Sequence, residues 1–227
     1  MNRETIRSRF RSENPEITAR VVTDDVLNGW MLDADKDICA ETRCIISNVP
    51  ETFNTVADTQ YYDLTANISK FFDIDEYPGG GVWYDDEPLQ KASEAEMNYI
   101  LRNWKNPTSG TPRKYFRRGQ YLWFDVPPDA VEDVDISAVY ISDDFGSDGI
   151  IPYNQLTYLE PFHPGVLKYL QWKAKMKVGK DEEHVAAQRE YYTFVKRMKK
   201  SVSGGQNNEM YLTPRSNSGN SNSGYRA

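Results

Sequence analysis

The sequence has few of the residue types that most catalytic and metal sites require. It contains only two histidines and two cysteines in 227 residues. A structural zinc site takes about four Cys or His ligands at short spacings, and His163 and His184 lie far along the chain from Cys39 and Cys44. We therefore expect no metal ion and no cofactor. The two cysteines are interpreted as reduced, half-buried thiols around the end of a helix.

Motifs of the common enzyme classes are missing as well. The chain has no GxSxG, no HExxH, no Walker lysine after a glycine loop and no GxGxxG between a strand and a helix. The triple glycine at 79–81 precedes Val-Trp-Tyr, which favours a loop between strands over a phosphate cradle. We therefore expect no enzymatic activity. One alternative stays open: metal-dependent hydrolysis by the acidic turns, with Asp85 and Asp86 as the candidate carboxylates.

Long apolar runs are also missing. No stretch approaches the roughly 18 to 20 consecutive apolar residues that span a bilayer. The N-terminus is basic, but no apolar segment of a secretory signal follows it. We expect a protein without a membrane partner, made in a cytoplasm and working there or in something assembled there.

Charge is abundant but unevenly distributed along the chain, whose formal net charge is −7. Residues 1–12 carry four Arg and one Glu, and residues 163–227 carry twelve basic and five acidic residues. The 150 residues between them therefore hold a net charge of −17. This acidic middle segment repels a phosphate backbone, whereas the two basic ends suit an acidic partner. The alternative interpretation is that each basic end is only a solvated helix face or tail. The pattern favours an assembly protein with complementary surfaces.

Helical patterns occupy both ends of the chain. Thr23-Asp24-Asp25 is a helix start, and an apolar stripe at spacings of three and four then runs for about 18 residues: Leu27, Trp30, Ala34 and Ile38. Pro164 suits a first helical position, and Gly179 a helix end. A long helix is predicted from about Asp181 to Val202. Its predicted inner side consists of Val185, Tyr192, Val195, Met198 and Val202.

The pattern between these ends is that of strands and turns. The runs TFNTV, QYYDL, KFFDI and GVWYD are rich in β-branched and aromatic residues and are broken by Pro, Gly, Asn and Asp. A further strand is predicted at 136–141, ISAVYI. One helix is expected within this region, at about 93–104, because Ser93 and Glu96 form a capping box.

Residues 110–126, GTPRKYFRRGQYLWFDV, predict a hairpin that turns at Arg118-Gly119. Basic residues among aromatics are typical of proteins that bind single-stranded nucleic acid, so one hypothesis is a nucleic-acid-binding module using residues 113–124. However, alternation along a strand places Tyr121 and Trp123 on one face and Leu122 and Phe124 on the other. Most of the aromatics are then core or sheet face. The exposed tip, expected to face another protein subunit, carries four basic residues: Arg113, Lys114, Arg117 and Arg118.

The predicted fold class is α+β. A helical bundle core, formed by an N-terminal helix and two long C-terminal helices, carries an inserted antiparallel β lobe and an extended C-terminal tail. The last 25 residues are rich in Ser, Asn and Gly and cannot fold alone. The predicted units are an N-terminal arm with the first bundle helix (1–44), the β lobe with its helix (45–150), the C-terminal bundle helices (151–202) and the docking tail (203–227).

This order of elements, together with YYDL, VWYDDEPL, GTPRKYFRRGQYLWFDVPPD and AVYIS, resembles the head-to-tail adaptor (connector) proteins of tailed bacteriophages. The resemblance covers about residues 24–202. In that family a small helical bundle carries an inserted β lobe, and the pattern of G-T-P, an aromatic, a glycine and then L-x-x-x-x-P-P-D is the hairpin of that lobe.

The resemblance implies a structural protein of the virion neck, assembled in the host cytoplasm. Its partners would be the portal protein, the tail or next neck protein, and further copies of itself in a ring, typically of twelve. The ring would pass DNA through an acidic channel without specific binding. Residues 203–227 would dock on the portal, through Met210, Tyr211, Leu212, Pro214, Arg215 and Tyr225.

Overall fold

The computed structural model describes residues 1–76, 80–100, 105, 107–142 and 145–209. Within these ranges, helices from both ends of the chain pack into a bundle, and short strands between them build a β lobe. The predicted α+β fold, a helical bundle with an inserted lobe of mainly antiparallel sheets, is confirmed. None of the described helices is long and apolar enough to cross a membrane.

The described part of the chain contains six α-helices and one 3-10 helix. In chain order they are α1 (Arg3–Glu13), α2 (Asp24–Thr42), α3 (Leu64–Asn67), α4 (Glu94–Ile100), the 3-10 helix (Thr157–Phe162), α5 (Pro164–Val178) and α6 (Asp181–Glu209). The Thr23 side chain accepts a hydrogen bond from the Val26 amide and so caps α2. Gly179 ends α5 at a φ of 76°, a left-handed conformation that glycine adopts without strain. The predicted starts of α2 and α5 and the end of α5 are confirmed.

The bundle core lies where α5 packs along α6 and both pack on α2. The predicted stripe of α2 faces it, with Leu27, Ala34 and Ile38 fully buried and Trp30 half-buried. The basic N-terminal segment, expected as an arm, is instead helix α1, because Ile6 and Phe10 lie one turn apart and are both fully buried in this core.

The arginines of α1 make contacts within the chain. Arg7 Nη2 lies 2.9 Å from Asp148 Oδ2, and Arg11 Nη2 lies 2.8 Å from Asp24 Oδ1. Arg3 donates to the carbonyl of Gly146. The N-terminal positive charge is therefore largely directed into the fold, which leaves the C-terminal helices as the more accessible basic surface.

Helix α6 differs from its prediction in two ways. Its inner face consists of Ala187, Tyr191, Val195 and Met198, whereas Val185 and Tyr192 are 38% and 44% exposed. Ala187 is small, and Tyr191 carries a hydroxyl that donates to Asp37. The sequence therefore shows this buried face less clearly than the face that begins with Val185. The helix also continues to Glu209, past the predicted end near Val202, because each added residue extends an existing hydrogen-bond ladder at lower cost than starting one.

The lobe contains ten described strands. They are β1 (Glu51–Asn54), β2 (Tyr61–Asp63), β3 (Phe71–Ile74), β4 (Val82–Tyr84), β5 (Glu87–Pro88), β6 (Gln90–Lys91), β7 (Lys114–Arg118), β8 (Tyr121–Phe124), β9 (Asp133–Ile136) and β10 (Ala138–Tyr140). They form sheets of order β1-β9-β4-β5, β2-β8-β7-β6 and β10-β3, in which only β6 and β7 pair in parallel. The four aromatic runs predicted as strands are β1 to β4.

The strand predicted at 136–141 is present in part, as β10 (Ala138–Tyr140), whereas Ile136 belongs to the preceding strand β9. The chain changes sheets at Ser137: Ile136 pairs with Glu51 and Val82, whereas Ala138 pairs with Ile74. Both segments keep an apolar face, since Ile136 and Ala138 are fully buried. Alternation in the sequence therefore continues through the crossover and does not reveal the change of partner strand.

The lobe joins the bundle just after α2. Ile46 forms a bridge with Val139 of β10, and the Tyr140 amide donates to the Ile45 carbonyl at 2.8 Å. The half-buried Tyr140 ring packs against both hydrophobic cores. Backbone pairing and a shared aromatic thus fix the lobe against the end of α2.

Candidate protein interface

The hairpin predicted at 110–126 is confirmed. Strands β7 and β8 pair in antiparallel register, from Tyr115 opposite Phe124 to Arg118 opposite Tyr121. The turn lies at Gly119-Gln120, one residue later than predicted, and Gly119 has a φ of 62°. A side chain at that φ would be strained, so the glycine position sets the turn.

The two faces of β8 differ as the alternation predicts. Leu122 and Phe124 are fully buried in the lobe core, whereas Tyr121 is 38% exposed. On the outer face the Trp123 ring stacks on Tyr61 at a centroid distance of 4.8 Å. The Trp123 ring also stacks on Phe116, at a centroid distance of 6.0 Å. The outer aromatics therefore stack on one another across the strands.

The four basic residues of the hairpin do not form one cluster. Arg117 and Arg118 lie beside the turn, but Arg113 and Lys114 lie at the opposite end of β7. At a rise of about 3.3 Å per residue, Lys114 and Arg118 are separated by roughly 13 Å along the strand. Of the four basic residues predicted at the hairpin tip, only Arg117 and Arg118 lie there.

Three of these four side chains have a carboxylate partner within the lobe. Lys114 Nζ lies 3.0 Å from Glu96 Oε1, and Arg118 Nη1 lies 3.5 Å from Glu94 Oε1. Arg117 pairs with Asp73. A nucleic acid phosphate would have to displace these partners before it could gain the contacts that dominate its affinity. The geometry therefore gives the nucleic-acid hypothesis little support.

Arg117 points inward, toward the junction of the lobe with the bundle. Its Nη2 donates to the Phe72 carbonyl at 2.9 Å, and its guanidinium lies 5.2 Å from the centroid of the Phe71 ring. Arg43, just after α2, reaches the other oxygen of Asp73 at 3.0 Å. The sequence does not reveal this junction, because its three charged members, Arg43, Asp73 and Arg117, are far apart in the chain.

The acidic turns are explained by their backbone geometry. Asp85 and Asp86 form the turn between β4 and β5, with φ values of 48° and 62°, and Asp is among the residues that tolerate this region. Among the described residues, no group of three or more His, Cys, Asp or Glu is placed to hold a metal ion. The acidic pair at 143–144 lies outside the described residues. The geometry thus gives metal-dependent hydrolysis no support.

The cysteines and one histidine have structural positions. Cys39 and Cys44 are free thiols with Sγ atoms 3.9 Å apart, and both are fully rather than half buried at the end of α2. Burial raises the pKa of the Cys39 thiol well above its usual value. His163 is also buried, and its Nδ1 accepts a hydrogen bond from the Met1 amine at 2.6 Å. These groups hold the fold and offer no nucleophile to solvent.

The residues predicted to dock on the portal lie outside the described residues. They are Met210, Tyr211, Leu212, Pro214, Arg215 and Tyr225. The described chain ends at Glu209, the last residue of α6. The first seven residues of the predicted tail, 203–209, are part of this helix.

Comparison with known proteins identifies the family. A search of curated proteins gives no match. A family model described as "SU10 adaptor protein" matches residues 1–217, which include the bundle, the lobe and the hairpin. The match extends beyond residues 24–202, over which the motifs resemble the adaptors. The chain therefore belongs to the SU10 adaptor protein family, a family of phage head-to-tail adaptors.

Proposed function

We propose that this protein is a structural subunit of the virion neck, in which about twelve copies form a closed ring that joins the portal to the tail. The observation that carries the proposal is the family match over residues 1–217. Closed rings are built from heterologous contacts between two different surfaces of each copy. The proposed role is structural rather than enzymatic, in a particle assembled in the host cytoplasm.

The C-terminal segment is proposed as the portal-docking element. Helix α6 brings the chain to Glu209, and eighteen residues follow it in the sequence. Fully extended, eighteen residues reach roughly 60 Å, enough to contact a neighbouring protein well beyond the bundle. The apolar and aromatic residues Met210, Tyr211, Leu212 and Tyr225 would supply the contacts, with Pro214 and Arg215 between them.

The proposed ring continues the DNA channel from the portal to the tail or the next neck protein. Residues 13–162 hold a net charge of −17, and a negative surface repels the phosphate backbone. A channel lined by part of this acidic excess would let DNA pass without holding it. No specific DNA contact is required of any residue.

The experiment compares the full chain with a chain truncated after Glu209. The cut leaves every described element in place, so circular dichroism and the unfolding temperature should be unchanged. Binding to the purified portal of the same phage should be lost. The matched control reorders residues 216–224, SNSGNSNSG, and leaves the proposed docking residues intact, so it should bind as the full chain does. Equal portal binding by the truncated chain would refute the docking proposal.

The ring itself is tested separately. Negative-stain electron microscopy of the protein mixed with its portal should show an added ring of density at the portal's tail-facing end. Native mass spectrometry of the same complex should give about twelve adaptor copies. A complex with portal but without a ring would contradict the neck assignment.

A further inference from the structure

One sheet of the lobe has an acidic outer face, and the chain segments that build this sheet contain no basic residue. The outer face of the sheet β1-β9-β4-β5 centres on Trp83, which pairs in register with Pro88 on one side and Asp135 on the other. Five carboxylates lie around this apolar centre: Asp133 and Asp135 on the outer face of β9, Asp85 and Asp86 in the turn between β4 and β5, and the exposed Glu87 on the edge strand β5, opposite the buried Tyr84. The segments that build the sheet, 44–69, 80–90 and 119–142, contain no Lys or Arg. Within the described residues these five carboxylates form no salt bridge.

A groove of opposite charge lies on the bundle. A cavity of about 590 Å³ is lined by Pro161, Phe162, Phe194, Arg197, Lys200 and Ser201. An adjoining cavity of about 300 Å³ shares Phe194 and Arg197 and extends to Lys168 and Arg189. Residues 189–200 of α6 contain five basic residues and one acidic residue. Arg197 and Lys200 are exposed and form no salt bridge in the described part of the chain.

The floor of this groove is held in place by close packing. The Phe162 and Phe194 rings meet edge to face at 6.2 Å. Gly165 of α5 lets the Phe194 ring approach, since a Cβ at residue 165 would lie 2.6 Å from Phe194 Cε1. Both aromatics are half-buried and remain accessible from the groove. The groove is therefore an ordered apolar floor with a cationic rim.

We propose that the acidic outer face of β1-β9-β4-β5 in one copy docks on the α6 groove of the next copy in the ring. Each surface has an apolar centre and a charged rim, which is the usual anatomy of a protein interface, and the two rims have opposite signs. The groove belongs to the bundle and the acidic face to the lobe. Two such separate patches on one subunit are what a heterologous ring contact requires. This inference rests on the proposed ring.

The experiment exchanges the charges on each surface. The groove variant carries Arg197→Glu and Lys200→Glu, and the sheet variant carries Glu87→Lys and Asp133→Lys. All four positions are exposed, so folding should be retained, as circular dichroism can check. On purified portal, each variant alone should form rings at least about tenfold less readily than the wild type, because like charges then face each other across the contact. A chain with all four substitutions should recover assembly.

The controls separate this contact from general charge effects. Lys36→Glu with Glu41→Lys exchanges two exposed charges on α2 and should assemble normally. Wild-type assembly should weaken between about 0.05 and 0.5 M salt, as exposed charge pairs become screened.

Three results would overturn the inference. Both charge-exchanged variants could assemble as the wild type does, or the fourfold chain could fail to recover. The sheet variant could also form normal rings that retain DNA, which would place the acidic face in the channel instead. In each of these cases the wild-type ring persists, so the proposed function would survive. A wild type that forms no ring on its portal would overturn both.

Discussion

Arg117 of the hairpin forms a salt bridge with Asp73 of β3, so two separate sheets of the lobe are joined through one carboxylate. The same carboxylate lies 3.0 Å from Arg43 at the end of α2. Asp73 thus links the hairpin, the two-stranded sheet and the bundle. An ion pair with several hydrogen bonds and partial burial contributes more than an exposed pair.

The substitution Arg117→Ala should lower the free energy of unfolding by about 1–3 kcal/mol, because Asp73 loses a partner and the carbonyls of Phe72 and Gly119 lose a donor. The neighbouring Arg118→Ala is the matched control. Its side chain is 67% exposed and its carboxylate partner lies 3.5 Å away, so the change should stay within about 0.5 kcal/mol. Urea denaturation followed by circular dichroism measures both. Equal effects of the two substitutions would show that the junction adds no stability.

The two faces of β8 should respond very differently to truncation. Phe124 is fully buried, and Phe124→Ala should cost about 3–5 kcal/mol of unfolding free energy through lost burial and a cavity. Tyr121, 38% exposed on the opposite face, should lose less than about 1 kcal/mol as Tyr121→Ala. The same denaturation measurement applies, and a cost at Tyr121 equal to that at Phe124 would contradict the assignment of faces.

Features determined by neighbouring residues were predictable from the sequence. The Thr23 cap, the Pro164 start and the Gly179 end each depend on the conformational preference of one residue. The alternation in β8 separates Leu122 from Trp123 by the same local rule. The hairpin was located correctly for this reason.

Features determined by distant partners were not predictable. The sequence predicts that the Arg117 side chain lies at an exposed tip. In the structure it instead donates to Asp73, 44 residues away in the chain, and points toward the bundle. The change of sheet at Ser137 depends on which strands lie beside it, and a sequence pattern does not specify its partner strands. The α6 groove needs Phe162 and Phe194 from two elements, so neither residue alone indicated a surface.

The unfolding free energy should depend on pH through His163. Burial lowers the pKa of this imidazole to about 4, from a usual value near 6.5. The unfolded chain therefore takes up a proton first as the pH falls below about 6.5, and stability is lost between that pH and about 4, by at most about 1.4 kcal/mol per pH unit. Above pH 6.5 the contribution is constant.

The test compares wild type with His163→Gln by urea denaturation at several pH values. Carboxylates add an acid-dependent slope to both proteins, so the difference between the two curves isolates His163. That difference should change between about pH 6.5 and 4 and be flat above this window. A difference that is the same at every pH would show that His163 is not held in its neutral form.

The protein should not bind DNA through its hairpin. Arg113 and Arg118 are the two exposed cations of residues 113–118. Two phosphate contacts on a single strand would give a slope of only about −1.4 in log affinity against log salt concentration. This attraction is small, and the net charge of −17 carried by residues 13–162 repels the phosphate backbone. Fluorescence anisotropy with labelled single-stranded and duplex DNA at about 0.05 M salt should therefore show no saturable binding. Binding that Arg113→Glu with Arg118→Glu abolishes, and Lys36→Glu does not, would establish the hairpin as a nucleic-acid site.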